Sequence, residues 1–182
     1  MKNKSLHRLT TCALMAALLC VLGPLSVPIG PIPITLATLV IYLMTYIVGT
    51  WDATISVLLY LLLGAVGLPV FSGYQGGLAR LAGPTGGYLA GFLLLPIVGG
   101  LLMERAKRQP ILTGVAMAAG TAVLYFFGTA WFVFLTGNDL GTALSLCVYP
   151  FVPFDLLKIV LAVALGKPIR GALLRAGLLA RP

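Results

Sequence analysis

The chain has 182 residues, 60% of them hydrophobic and only 9% charged, and its mean hydropathy of +1.07 lies outside the range of soluble globular domains. Its net charge of +8 does not point to nucleic acid, because the basic residues sit at the ends of apolar runs, where they fix topology and meet anionic lipid. A separately folding soluble domain is excluded by the lack of any long polar block, so residues 1–182 are read as a single all-α integral membrane domain.

Residues 1–23 imitate a secretory signal, with Lys2, Lys4 and Arg8 ahead of an apolar core that opens at Leu9. No small-residue cleavage site follows, and the chain downstream is equally apolar, so a retained first helix over about 9–27 is expected. The next two runs, 34–49 and 53–67, are short: at about 1.5 Å per residue each spans roughly 24 Å, less than a hydrocarbon core of ~30 Å. They are either two crossings or one kinked helix. Runs at 85–103, 111–135 and 144–165 follow, and then a basic tail, 166–182, that is expected to lie on the lipid surface.

Charge parity decides between the two counts. Six transmembrane helices with both termini cytoplasmic place Lys2, Lys4, Arg8, Arg105, Lys107, Arg108, Lys167, Arg170, Arg175 and Arg181 inside, ten of the twelve basic residues, as the positive-inside rule requires. Arg80 alone falls outside, and Lys158 lies within the sixth run. Merging the second and third runs would send residues 104–108 to the opposite side from the N-terminus. The connections on the outer face, 28–33, 68–84 and 136–143, are rich in Gly and Pro and are expected to be structured, since irregular backbone at a membrane needs partners or water for its polar groups.

Four acids are present. Asp52 and Glu104 fall at inner helix ends and Asp139 in an outer connection, while Asp155 sits inside the sixth run. A charge at membrane depth costs roughly 2.5–3.5 kcal/mol on insertion scales and is retained where it faces a cavity or a partner. Lys158 lies three residues on, on the same helical face. Either the two neutralise each other and let the helix pack, or Asp155 accepts hydrogen bonds from ligand N–H groups while Lys158 orients it or meets a ligand carboxylate. Pro150 and Pro153 open the helix just before the pair, which favours a binding site.

The segment 73–88 holds the other concentration of special residues, with Tyr74, Arg80, Thr85 and Tyr88 among six glycines. Gly86 and Gly87 open the fourth helix, where unpaired N–H groups can meet an anion. There is no phosphate-loop pattern, no nucleophile with a base and no acid pair, so neither ATP hydrolysis nor any other enzyme activity is expected. His7 stands alone, and Cys12, Cys20 and Cys147 lack metal-ligand spacing, so no metal and no cofactor are expected. Small residues recur four apart at Ala13/Ala17, Gly87/Gly91, Gly114/Ala118 and Ala116/Gly120, a spacing that lets helix backbones approach.

The runs Gly30-Pro31-Ile32-Pro33-Ile34-Thr35-Leu36, Gly67-Leu68-Pro69-Val70-Phe71, Gly83-Pro84-Thr85-Gly86-Gly87-Tyr88-Leu89 and Phe154-Asp155-Leu156-Leu157-Lys158 resemble, in order over nearly the whole chain, the BioY family. That family is the biotin-specific substrate-binding component of energy-coupling factor transporters. The resemblance implies a six-helix bundle with a biotin pocket near the outer face, covered by the first outer loop. It also implies that Ala13 and Ala17 contact a transmembrane coupling subunit, which joins the chain to two ATPase subunits. Family members often carry Gln two residues after the Thr of the first loop motif, where this chain has Ala37, so no polar ligand contact is carried over there.

Biotin offers two urea N–H donors, an apolar sulfur ring and a terminal carboxylate. Asp155 suits the urea, Tyr88 or Tyr74 the bicyclic head, and Lys158 or Arg80 the carboxylate, with Thr35, Thr85, Gly86 and Gly87 completing the candidate ligand-binding set. Asp155 and Lys158 have Cβ atoms only about 5–6 Å apart, so one biotin touches both only if the lysine stretches away. A stand-alone secondary transporter of biotin or a similar small carboxylate is the alternative, and a scaffolding protein that binds no small ligand a third.

Overall fold

The computed structural model describes residues 4–28 and 31–179; Lys2, Gly30 and Arg181, used above, lie outside them. The described residues form eight α-helices and one small hairpin: α1 (Lys4–Leu22), β1 (Ser26–Val27), β2 (Ile34–Thr35), α2 (Ala37–Val48), α3 (Thr50–Ala65), α4 (Leu78–Ala82), α5 (Gly86–Arg105), α6 (Pro110–Thr136), α7 (Leu140–Cys147) and α8 (Val152–Arg175). The chain is a membrane protein. Helices α5 and α6 are each long and apolar enough to cross a bilayer, and α7 with α8, bent by 45°, makes a third such unit.

Local chemistry sets the boundaries. The first run was expected to reach residue 27, but α1 stops at Leu22 because Pro24 cannot continue the hydrogen-bond ladder. The chain then enters the antiparallel pairing Ser26↔Thr35 and Val27↔Ile34. That pairing takes up the first residues of the second run, and the Thr35 hydroxyl accepts the Ala37 N–H at 3.0 Å as α2 begins. Helices α2 and α3 meet at Gly49, whose φ of 96° is open to glycine and strained for other residues. On its far side, Glu104 Oε1 accepts the Thr50 N–H at 3.0 Å.

The sixth run requires two corrections. It is broken over 148–151, next to Pro150 and Pro153, into α7 and α8. Nor is 166–182 a tail from its first residue: α8 continues to Arg175. Gly166 lets the Tyr46 ring pack directly on the α8 backbone, and Arg170 Nη1 donates to the Ile47 carbonyl, so α2 holds this end of α8 in register.

Helix α2 is the axis of the bundle. Nine of its twelve residues are buried, and it packs against α1, α3, α5 and α8, as a helix apolar on every face must. The most extensive seam joins α5 to α6. A Cβ on Gly87 would lie 2.3 Å from Trp131, one on Gly91 2.6 Å from Leu124, and one on Gly120 2.8 Å from the Leu95 carbonyl, so these small residues serve packing within the chain. Helix α1 instead leaves Ala13 and Ala17 exposed, beside Leu14 and Leu18.

The two ends of the bundle differ. At one end Arg8 pairs with Asp52 (2.5 Å) and Arg108 with Glu104 (3.8 Å), close to Arg170. At the other end lie the β1–β2 hairpin, a tight turn in which Phe71 pairs with Gln75, α4 and α7.

Candidate functional site

The break before α8 places Asp155 in that helix's first turn, where the partial positive charge of the helix N-terminus favours a carboxylate. It is 4% exposed and is held on three sides. Thr38 Oγ1 donates to Oδ1 at 3.0 Å, Lys158 Nζ donates to the same oxygen at 2.9 Å, and the Tyr125 hydroxyl donates to Oδ2 at 2.7 Å. Lys158 Nζ also donates to Thr38 Oγ1 at 2.9 Å, which closes a triangle across α2 and α8. An ionised carboxyl has about four acceptor positions; these three bonds leave one, on Oδ2.

That carboxylate borders a chamber of about 360 Å³, within the roughly 300–1,000 Å³ of small-ligand sites. Six aromatic side chains, Tyr60, Phe71, Tyr88, Phe92, Tyr125 and Phe151, line it. Tyr60 and Phe71 meet edge to face, with ring centroids 5.5 Å apart, and the Phe71 ring occupies the space a side chain at Gly64 would need. The Tyr88 hydroxyl is engaged by Thr129 Oγ1 (2.9 Å) and the Cys147 carbonyl (3.3 Å), so Tyr88 offers its ring to the chamber. Ser26, Pro28, Pro31, Ile32, Pro33 and Thr35 line it from the β1–β2 hairpin, and Ile32 is buried.

Of the residues singled out in sequence, Thr35, Arg80, Thr85, Tyr88 and Asp155 line this chamber. Lys158 is not among the lining residues; its Nζ donates to Asp155 and Thr38. Gly86 and Gly87 are also off the wall. The Gly86 N–H donates to the Gly83 carbonyl (2.9 Å), and the absent side chains make room for Leu81 and Trp131. Tyr74 is 63% exposed at the tip of the 71–75 turn, with a φ of 58°, and also stands apart. Arg80 has no acid within ion-pair distance among the described residues.

Sequence reasoning missed Thr38, Tyr125, Ser72 and Gln75. Thr38 lies a single residue beyond the Ala37 that was weighed and set aside. Tyr125, in mid-helix, carries no local signal of its distant partner.

A bundle of membrane helices enclosing a chamber lined by aromatic side chains, with one anchored carboxylate in its wall and one guanidinium unpaired among the described residues, defines a membrane protein built to hold a small polar-ended solute. Comparison with known proteins narrows this. The BioY family model matches residues 1–175. The chain is 38% identical over 173 residues to the biotin transporter BioY2 of Lactococcus lactis subsp. cremoris, covering 95% of each. It is 39% identical over 167 residues to the biotin transporter BioY of Thermotoga maritima, covering 91% of this chain and 96% of the relative. The crystal structure of the S-component for biotin from an ECF-type ABC transporter superposes with a TM-score of 0.86 at 31% identity, over 94% of both chains. The chain belongs to the BioY family.

Proposed function

We propose that this chain captures biotin as the substrate-binding subunit of a vitamin uptake transporter, energised by a separate coupling subunit and two ATPase subunits. Its relatives are biotin transporters, and its fold matches that of a biotin S-component. The observation that carries the reading is a buried carboxylate, Asp155, with an acceptor position left on Oδ2, in the wall of a chamber lined by six aromatic side chains. A urea N–H of biotin fills it, the sulfur ring packs among the aromatic side chains, and the carboxylate meets Arg80. Lys158 and Thr38 fix the carboxylate so that little ordering is left for binding. The β1–β2 hairpin covers the site.

In the membrane, α1, α2, α3, α5, α6 and α8 are the six crossings, with both termini cytoplasmic and the hairpin end outside. Gathering Arg105, Lys107, Arg108, Lys167, Arg170 and Arg175 at the opposite end supports this under the positive-inside rule. Short α2 and α3 are tolerated because protein, not lipid, surrounds most of α2. Ala13 and Ala17, exposed on α1, offer the close approach a coupling helix needs.

Titration of biotin into the purified full-length protein tests the reading. Saturable binding is expected, and Asp155→Ala is expected to weaken it roughly 10- to 100-fold, the worth of a hydrogen bond to a charged group. Absence of binding by the unaltered protein would overturn the function, and undiminished affinity in the variant would remove Asp155 from the site. Replacing Ala13 and Ala17 by Leu is expected to leave binding intact while abolishing ATP-dependent uptake by vesicles containing all subunits.

A further inference from the structure

Two sets of polar groups on the chamber wall come from different parts of the chain. Asp155 and its partners Thr38 and Tyr125 come from α8, α2 and α6. Arg80 and Ser72 come from the connection between α3 and α5, and this connection is anchored twice at one glycine: the Phe71 ring packs on Gly64, and the Gly77 N–H donates to the Gly64 carbonyl at 2.7 Å. Ser72 and Arg80 therefore branch from a common base.

The Ser72 hydroxyl is buried, and no protein group among the described residues hydrogen-bonds to it, although Ser72 lines the chamber. Buried hydroxyls without a partner are uncommon and need an explanation. Its position is fixed from both sides. Phe71 exchanges backbone hydrogen bonds with Gln75 (2.8 and 3.2 Å), and the Gly73 N–H donates to the Pro24 carbonyl at 3.0 Å. These bonds hold the backbone on either side of Ser72, so the side chain branches from a fixed point on the chamber wall.

We propose that Ser72 is a specificity-determining residue whose hydroxyl donates to the carboxylate of the bound ligand, beside the Arg80 guanidinium. The inference rests on the biotin-capture reading and adds a second donor on the connection that carries Arg80. An oxyanion is the matching partner: a hydroxyl offers one strong donor to a charged acceptor, and Arg80 supplies the compensating charge.

The test measures affinity for biotin and for its uncharged carboxamide in the unaltered protein and in Ser72→Ala, together with the apparent Tm of each without ligand. Ser72→Ala is expected to weaken biotin roughly 10- to 100-fold and the carboxamide by a smaller factor, with the unliganded Tm unchanged or raised, because removing an unpartnered buried hydroxyl relieves the fold. Equal losses for both ligands, or an unchanged biotin affinity, would overturn the assignment. A lowered unliganded Tm would also overturn it, since it would mean that the hydroxyl serves the fold. Failure of the unaltered protein to bind biotin would instead defeat the underlying function.

Discussion

Lys158→Met isolates the ion pair at the base of the chamber. Lys158 Nζ lies 2.9 Å from both Asp155 Oδ1 and Thr38 Oγ1, and the side chains of Lys158 and Asp155 are only 11% and 5% exposed. At 2.9 Å and an effective dielectric of about 20, the gross attraction is roughly 6 kcal/mol, most of it offset by desolvation. Removing one partner leaves the other charge buried with Thr38 and Tyr125 alone, a situation that costs about 3–5 kcal/mol. At roughly 2–4 °C per kcal/mol for a chain of this size, the apparent Tm in detergent should fall by roughly 6–20 °C. Biotin affinity should fall as well, since Asp155 loses the donor that orients it. The double variant Asp155→Leu/Lys158→Met, which buries no charge, should recover most of the Tm but none of the binding. A Lys158→Met protein with unchanged Tm and unchanged affinity would refute the view that the lysine holds the acid in place.

Tyr125→Phe deletes the 2.7 Å bond to Asp155 Oδ2 and keeps the ring; biotin titration should show a loss of about tenfold. Gly128→Ala places a Cβ 2.4 Å from the Tyr88 ring, which must then shift into the chamber, so affinity should drop more than the apparent Tm does. Asp139 caps α7 by accepting the Thr142 N–H (2.9 Å) and hydroxyl (2.6 Å), and these bonds hold its carboxyl below the usual carboxylate range. A depressed folded-state value means stabilisation that is complete above the unfolded value of about 3.9 and lost as pH falls through the folded one. The apparent Tm of the protein should therefore decline more steeply below about pH 4 than that of Asp139→Ala.

What was legible in the sequence was whatever depends on the solvent. Apolar runs and breakers located α2, α3, α5 and α6 to within about three residues at each end, because lipid and proline act on the chain locally. Asp155 was legible for the same reason, as an acid where hydrophobicity forbids one without a purpose. The boundaries that failed did so through tertiary contacts: β1–β2 pairing took Ile34 and Thr35 from α2, and Tyr46 against Gly166 carried α8 past the expected end. Gly86 and Gly87 were read for their N–H groups, and the structure shows that their missing side chains also admit Leu81 and Trp131. A glycine that admits a ligand and one that admits Trp131 look the same until the neighbouring helix is placed. Thr38 is 117 residues from Asp155 in sequence, and nothing local announces such a pairing.

The charges in the chamber explain why one buried acid can serve both fold and ligand. Asp155 and Lys158 sum to zero, and the fold carries that pair whether or not anything is bound. Arg80 has no acid within ion-pair distance among the described residues, and residues of the hairpin line the same chamber, so on the proposed function exclusion of water from the site would leave an unpaired guanidinium desolvated. A monoanionic ligand neutralises it and lets the chamber close as a net-neutral interior, whereas a neutral analogue of the same shape leaves the desolvation of Arg80 uncompensated. On the proposed function, Asp155 would read the donor end of the ligand and selectivity for a carboxylate would reside at the Arg80 guanidinium, away from the acid that the sequence made conspicuous.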